Sequence, residues 1–209
     1  MYDHSVRLLE DRIISAAVER GCEVGRPVVV ALDGRIASGK STIAGRLDSR
    51  SDVVRVPLDD FYQTAIAEAD LNRFSAAEKL DFVFDWTRVR SDSLEPLRAS
   101  RPGRWHAFDF TSGLTEAGTY QLSSAVTEVQ PAPIILLDEA YSASAPLSDL
   151  IDIAVLVDAP TSVRRARSLA RGDSPEFLSG WHRIWDEVEV YYFDHVRPPS
   201  SFDIVLSRE

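Results

Sequence analysis

Lysine is nearly absent from this sequence: Lys40 and Lys79 are two of 23 basic residues. Cysteine is scarcer still, with Cys22 alone. One cysteine excludes an internal disulfide and a cysteine-based metal cage. It fits a reducing, cytoplasmic setting, with Cys22 expected as a small buried or half-buried filler. No apolar run approaches the ~20 residues of a membrane span; the longest, Ile151–Ala159, is broken by Asp152 and Asp158. Asp3, Arg7 and Glu10 charge the first ten residues, so no signal peptide is expected. Positive charge is short overall, with a net charge of −10 over 209 residues. Such a chain repels nucleic acid and anionic membrane as a whole, and neither is expected as a partner. Any phosphate binding must be local. The four histidines show no metal-binding spacing.

What is present is enough apolar side chain, 44% of residues, for the core of a single domain over residues 1–209. Apolar runs at Val28–Leu32, Ile134–Leu137 and Ile153–Val157, and the mostly apolar Val53–Leu58, read as buried strands, with Phe202–Leu206 a fifth candidate. Helical spacing appears over Arg7–Glu19, Thr42–Leu47, Asp85–Leu97, Thr161–Ala170 and Ser179–His195. Trp105–Phe110 reads as extended, and Thr111–Gly118 as a polar loop. Buried strands alternating with helices predict an α/β fold of three layers, a parallel sheet covered on both faces.

The sharpest pattern is Gly34-Arg-Ile-Ala-Ser-Gly39-Lys40-Ser41, which fits G-x-x-x-x-G-K-[ST] between a predicted strand and a predicted helix. Glycines let successive N–H groups turn toward a phosphate chain, and the following helix offers the same anion its positive end. One of only two lysines falls on the motif position, where a compact point charge is needed and arginine's wide fork would not serve. Lys40 is expected to reach the β- and γ-phosphates of ATP and to lie exposed in an empty site. The Ser41 hydroxyl is a candidate ligand of Mg2+.

A phosphate loop binds nucleotide without naming a reaction. In open α/β sheets ligands bind beyond the carboxyl ends of the strands. Two predicted strands end there in paired acids, Asp59-Asp60 and Asp138-Glu139. One carboxylate suits magnesium, for which Glu139 and Asp138 are the candidates; another suits a base for an incoming hydroxyl. Arg164, Arg167 and Arg171 share one helix face and could close over a migrating phosphoryl group.

Ala37-Ser-Gly-Lys-Ser-Thr42 followed by Leu58-Asp59-Asp60-Phe61-Tyr62 resembles the uridine kinase family of P-loop kinases, a group close to phosphoribulokinase and pantothenate kinase. Weaker likenesses extend from Val28 to Leu206. They include Phe84-Asp85-Trp86, Phe108-Asp109-Phe110, Leu137-Asp138-Glu139-Ala140, and an arginine-rich stretch ending at Arg171 and Asp173. The resemblance implies a P-loop NTPase fold whose five parallel strands run in the order 2-3-1-4-5. It implies Asp59 as base, Tyr62 against the acceptor, Asp85 on acceptor hydroxyls, and Phe108 and Asp109 in an acceptor-site strand. Trp86 and Trp105 flank these residues and are candidate pocket walls. The sequence departs from the family where a base-reading histidine would follow Asp109-Phe110; Thr111-Ser112-Gly113 stands there instead.

The expected protein is therefore an ATP-dependent small-molecule kinase. Gly34, Ala37, Ser38, Gly39, Lys40, Ser41, Thr42, Arg167 and Arg171 would bind nucleotide. Asp59, Lys40, Arg167 and Arg171 would act in transfer. Residues 63–118 would form an acceptor-binding insertion, and 161–180 an arginine-rich lid. The alternative is a P-loop NTPase serving as a hydrolytic switch or nucleotide sensor, without a small acceptor.

Overall fold

Strand β1 (Val28–Asp33) is buried at all six positions and forms the axis of the molecule. In the computed structural model, residues 2–171 and 184–207 are described. β1 pairs in parallel with β5 (Ile134–Asp138) on one side and β6 (Ile153–Asp158) on the other. β2 (Val53–Pro57) pairs with β5, and β7 (Ile204–Ser207) with β6. Side chains alternate across the pleat. Val28, Val30 and Leu32 enter one core with Ile13, Ala17, Ile43 and Leu47 from helices α1 (Tyr2–Val24) and α2 (Lys40–Asp48). Val29 and Ala31 enter a second core with Phe61, Phe84, Leu97, Trp105 and Tyr192. The sheet is thus the middle of three layers, as its unbroken apolar runs predict.

The strand order is β2-β5-β1-β6-β7. The five apolar runs lie side by side in the spatial order expected of them, and the expected numbering 2-3-1-4-5 is corrected to 2-5-1-6-7. Two strands missing from that expectation, β3 (Gly103–Phe108) and β4 (Leu122–Val129), form a separate antiparallel pair and take two places in chain order. β4 escapes a search for apolar runs because none of its eight residues is fully buried. The expected fifth strand also shifts, from Phe202–Leu206 to Ile204–Ser207. The residues before it form a 3₁₀ turn at Pro199–Ser201, and Asp203 receives the Ala154 N–H at 2.7 Å.

The expected helix at Arg7–Glu19 extends through Gly21 to Val24, and ends where Gly25 takes φ +65° and donates its N–H to Gly21 O. Between β2 and β3, α3 (Ala76–Phe82) starts at a capping box made by Ser75 and Glu78. The helix over Trp86–Arg88, Val89–Leu94 and Glu95–Arg98 has a π-helical middle. After α4 (Thr161–Ala170), residues 184–191 are helical and continue into a π-helical turn, Tyr192–Val196. Asp173 and the part of the expected lid beyond Arg171 lie outside the described residues. Cys22 is exposed, not the buried filler its residue type suggests. Among the described residues, no helix is long and apolar enough to cross a membrane.

Candidate active site

β1 delivers the chain to the phosphate loop through Gly34, whose φ of +150° lies outside the range L side chains favour. A Cβ there would stand 2.3 Å from the Val157 carbonyl oxygen on β6. Gly34→Ala therefore combines backbone strain of about 1–3 kcal/mol with overpacking of similar size. The expected result is a clear fall in the urea midpoint together with loss of nucleotide binding. Gly39, at φ +104°, opens α2, while Ala37 also has positive φ, +59°. Beneath the loop the fully buried Asp33 accepts from Gly34 N (2.6 Å), Tyr141 N (2.9 Å), Ala143 N (3.0 Å) and Tyr192 Oη (2.7 Å). Burial raises its pKa, against the pull of Tyr192 and the N–H groups.

Lys40 is 3% exposed, not open to solvent as expected. Its Nζ folds back over its own loop, donating to Gly34 O (2.7 Å) and Arg35 O (3.1 Å), and lies 3.3 Å from Glu139 Oε1. Buried amines need partners, and the loop's carbonyls are the nearest acceptors. Ser41 and Thr42 on the first turn of α2 are exposed. A cavity of about 350 Å3 is lined by Gly39, Lys40, Ser41, Thr42, Glu139, Arg167 and Arg171 among others. Arg167 donates to Ser38 O (2.8 Å) and Ala37 O (3.4 Å), so α4 sits on the phosphate loop.

The two consecutive acids after β5 part company. Asp138 is 1% exposed at its side chain and makes a two-point ion pair with Arg55 of β2, at 2.8 and 3.0 Å. Burial holds its pKa up despite Arg55. With both oxygens engaged by a guanidinium, Asp138 is withdrawn from the metal set expected for it. Glu139, one residue on at φ +144°, turns into the cavity. Burial opposes its charge, but Lys40, the Ala140 N–H and Arg171 outweigh it, and its pKa is lowered. Glu139 is therefore a charged carboxylate beside the exposed Ser41, and these hard oxygen donors suit a magnesium ion that shares its other ligands with phosphate and water.

A 3₁₀ turn, Leu58–Phe61, follows β2 and separates the other acid pair. Asp60 accepts the Trp105 Nε1 proton at 2.7 Å. Trp105 is 2% exposed and packs on Phe61, so it supports the site from the core instead of facing a ligand. Asp59 receives a hydrogen bond from Tyr62 and has a pKa raised to about 7, by burial first and then by the Glu139 charge, with Lys40 opposing. Tyr62 begins a wall of rings: Phe84 at 4.8 Å, Phe108 at 5.5 Å and Phe110 at 5.8 Å between centroids. Phe110 is 64% exposed. The Tyr62–Phe84 bridge and the Asp85 N–H on Phe61 O (2.8 Å) bring Asp85 beside this turn, where its carboxylate caps the helix at Arg88 N. Trp86 packs edge-on against Phe84, and its Nε1 donates to Asp81 O. Asp109 accepts from Thr111 and Ser112 and so shapes its own loop.

These elements define a nucleotide-type phosphate loop whose cavity adjoins a second, aromatic-walled region. No protein-family model matches the chain. Among characterised sequences, it is 23% identical to a uridine kinase of Latilactobacillus sakei subsp. sakei (strain 23K), over 82% of this chain and 77% of that one. Among solved structures, it resembles a possible uridine kinase from Bacillus stearothermophilus, with a TM-score of 0.66 and 16% identity over 98% of both chains. It also resembles D-glycerate 3-kinase from Cryptococcus neoformans var. grubii, with a TM-score of 0.65 and 14% identity over 97% of this chain and 95% of that one. The fold matches that of these kinase structures. The likeness to their uridine kinase-like group, first carried by the motifs, holds in both sequence and fold.

Proposed function

We propose that the chain transfers the γ-phosphoryl group of MgATP to a hydroxyl of a small acceptor, nucleoside-like or of similar size. The observation that carries this reading is the placement of Asp59, a carboxyl bonded by Tyr62 at the edge of the ring wall. It lies within electrostatic reach of Lys40 and Glu139 at the phosphate loop, where burial and the Glu139 charge raise its pKa to about 7. A base for an alcohol works best with a pKa near the operating pH. The loop N–H groups and Lys40 hold the phosphates, and Lys40 exchanges its two carbonyl partners for phosphate oxygens. Ser41 and Glu139 would hold Mg2+, which supplies charge neutralisation when bound. The acceptor oxygen forms its bond to phosphorus as the bond to the β,γ-bridging oxygen breaks. Its proton passes to Asp59, and ADP departs with the bonding electrons. Arg167 and Arg171, at the cavity from α4 and its end, stabilise the charge spread over the transferring oxygens. Tyr62, Asp85, Trp86, Phe108 and Asp109 orient the acceptor, with Trp105 behind them.

The test is ADP release by the wild type across a panel of nucleosides, sugars, pantothenate and aminoglycoside-like alcohols. Stimulation by at least one acceptor is expected; stimulation by none would favour the hydrolytic switch. With the active acceptor in hand, kcat/KM should rise about tenfold per pH unit below ~7 and level off above it. The sign follows from the charge required: only deprotonated Asp59 accepts a proton, and its folded pKa is raised, to about 7. A flat profile from pH 5 to 8 would remove Asp59 from the role of base.

A further inference from the structure

We propose that Glu189, on the helix over 184–191, is a positioning residue that holds the phosphate loop in its binding shape. It lies 153 positions from the residue it grips, and no motif marks it. Its Oε1 accepts the Ile36 N–H at 2.6 Å. Its Oε2 lies 3.8 Å from Arg35 and 3.6 Å from Arg164. Arg164 closes the circuit by donating to Ile36 O at 3.3 Å. Both backbone groups of Ile36 are thus fixed from outside the loop, by a carboxylate and by the guanidinium that the carboxylate itself pairs with.

Ile36 needs that hold because of its neighbour. Ala37 stands at φ +59°, a conformation that costs a non-glycine residue free energy and persists only where the surroundings impose it. A phosphate loop binds through the direction of its N–H groups, so a relaxed bend at Ile36–Ala37 turns donors away from the anion. Glu189 is 6% exposed, and two arginines flank it in place of water. Arg35 has further partners in the Phe193 ring, 4.7 Å away, and Asp194, 3.6 Å away. The Ile36 N–H has no second acceptor in the loop. Reach to that N–H, more than negative charge, is the property Glu189 supplies.

The role rests on the nucleotide reading, and the test separates the two. MgATP affinity is measured by titration calorimetry on wild type, Glu189→Gln and Glu189→Asp, with thermal melts and far-ultraviolet circular dichroism alongside. Gln keeps an acceptor oxygen at the same reach without charge, while Asp keeps the charge but falls one methylene short. Glu189→Asp should weaken MgATP binding about 10–100-fold, the scale of a misplaced binding group. Glu189→Gln should stay within about threefold of wild type. In turnover assays the loss in Asp should appear in the KM for ATP and leave the KM for the acceptor unchanged. A general structural role predicts instead that affinity follows melting temperature in both variants and that both KM values rise together, which would overturn the proposal. Equal MgATP affinity in wild type and Glu189→Asp would also overturn it while leaving the kinase reading intact. Absence of MgATP binding by wild type would overturn both.

Discussion

Lys40→Ala should lower ATP turnover by ~10²–10³, the worth of one preorganised group facing developing charge, about 3–4 kcal/mol. The structure adds a cost that an exposed side chain would not carry. Lys40 is 3% exposed and satisfies the Gly34 and Arg35 carbonyls while neutralising Glu139. Its removal leaves these groups unpartnered, which costs roughly 1–3 kcal/mol of stability. Lys40→Met retains most of the aliphatic stem and so isolates the charge. Turnover and urea midpoints of both variants, measured together, divide the two effects. Turnover should collapse equally in Ala and Met, with the larger stability loss in Ala. Near-normal turnover in either variant would refute a phosphate-loop role for Gly34–Thr42.

Asp59→Asn should lower phosphoryl transfer to the acceptor by ~10²–10⁴ while MgATP affinity stays within a few-fold of wild type. Background hydrolysis of ATP should change much less, because water needs no contact with the acceptor wall. Stability should move the other way. A carboxyl whose folded pKa is raised above its unfolded value favours the native state below the unfolded pKa, and that favour is lost as pH rises through the folded pKa. For Asp59 the loss spans the interval from its ordinary value to about 7. Asparagine carries no charge to repel Glu139, so the variant should melt higher than wild type at pH 8, with the difference shrinking toward pH 5. Parallel loss of MgATP affinity and turnover would reassign Asp59 from base to magnesium site.

The contrast between what could and could not be read in advance is physical. β1, β5 and β6 are buried on both faces, so apolar content alone marks them, and β2 is marked by its valines on either side of Arg55. The phosphate loop is marked because a tight anion cradle demands glycine and lysine at fixed local spacing. β4 carries no such mark, since neither of its faces is sealed from water. Asp138 and Glu139 look interchangeable in a string of letters. What separates them is Arg55 on the neighbouring strand, which captures the acid still inside the sheet, and the turn in φ that frees the next. Asp33, Glu189 and Tyr192 illustrate the same limit. Each acts through a partner more than 100 positions away, and no local period records such a contact. Trp105 was legible as a neighbour of the site, but its place behind Phe61 depends on a bond to Asp60 from another segment.

The hairpin of β3 and β4 stands outside the parallel sheet and packs on both the turn at Leu58–Phe61 and the helical segment Val89–Leu94, with Trp105 bonded to Asp60. Under the proposed kinase reading, drift in that hairpin would remodel what is phosphorylated without disturbing how phosphate is held. Its loop between Asp109 and Thr119 is mostly exposed and folded on its own hydrogen bonds, so it tolerates changes of length. On the same reading, exchanging this stretch for that of a kinase of the same architecture should transplant selectivity as a cassette. The Asp60–Trp105 bond marks the joint at which such a graft must be matched.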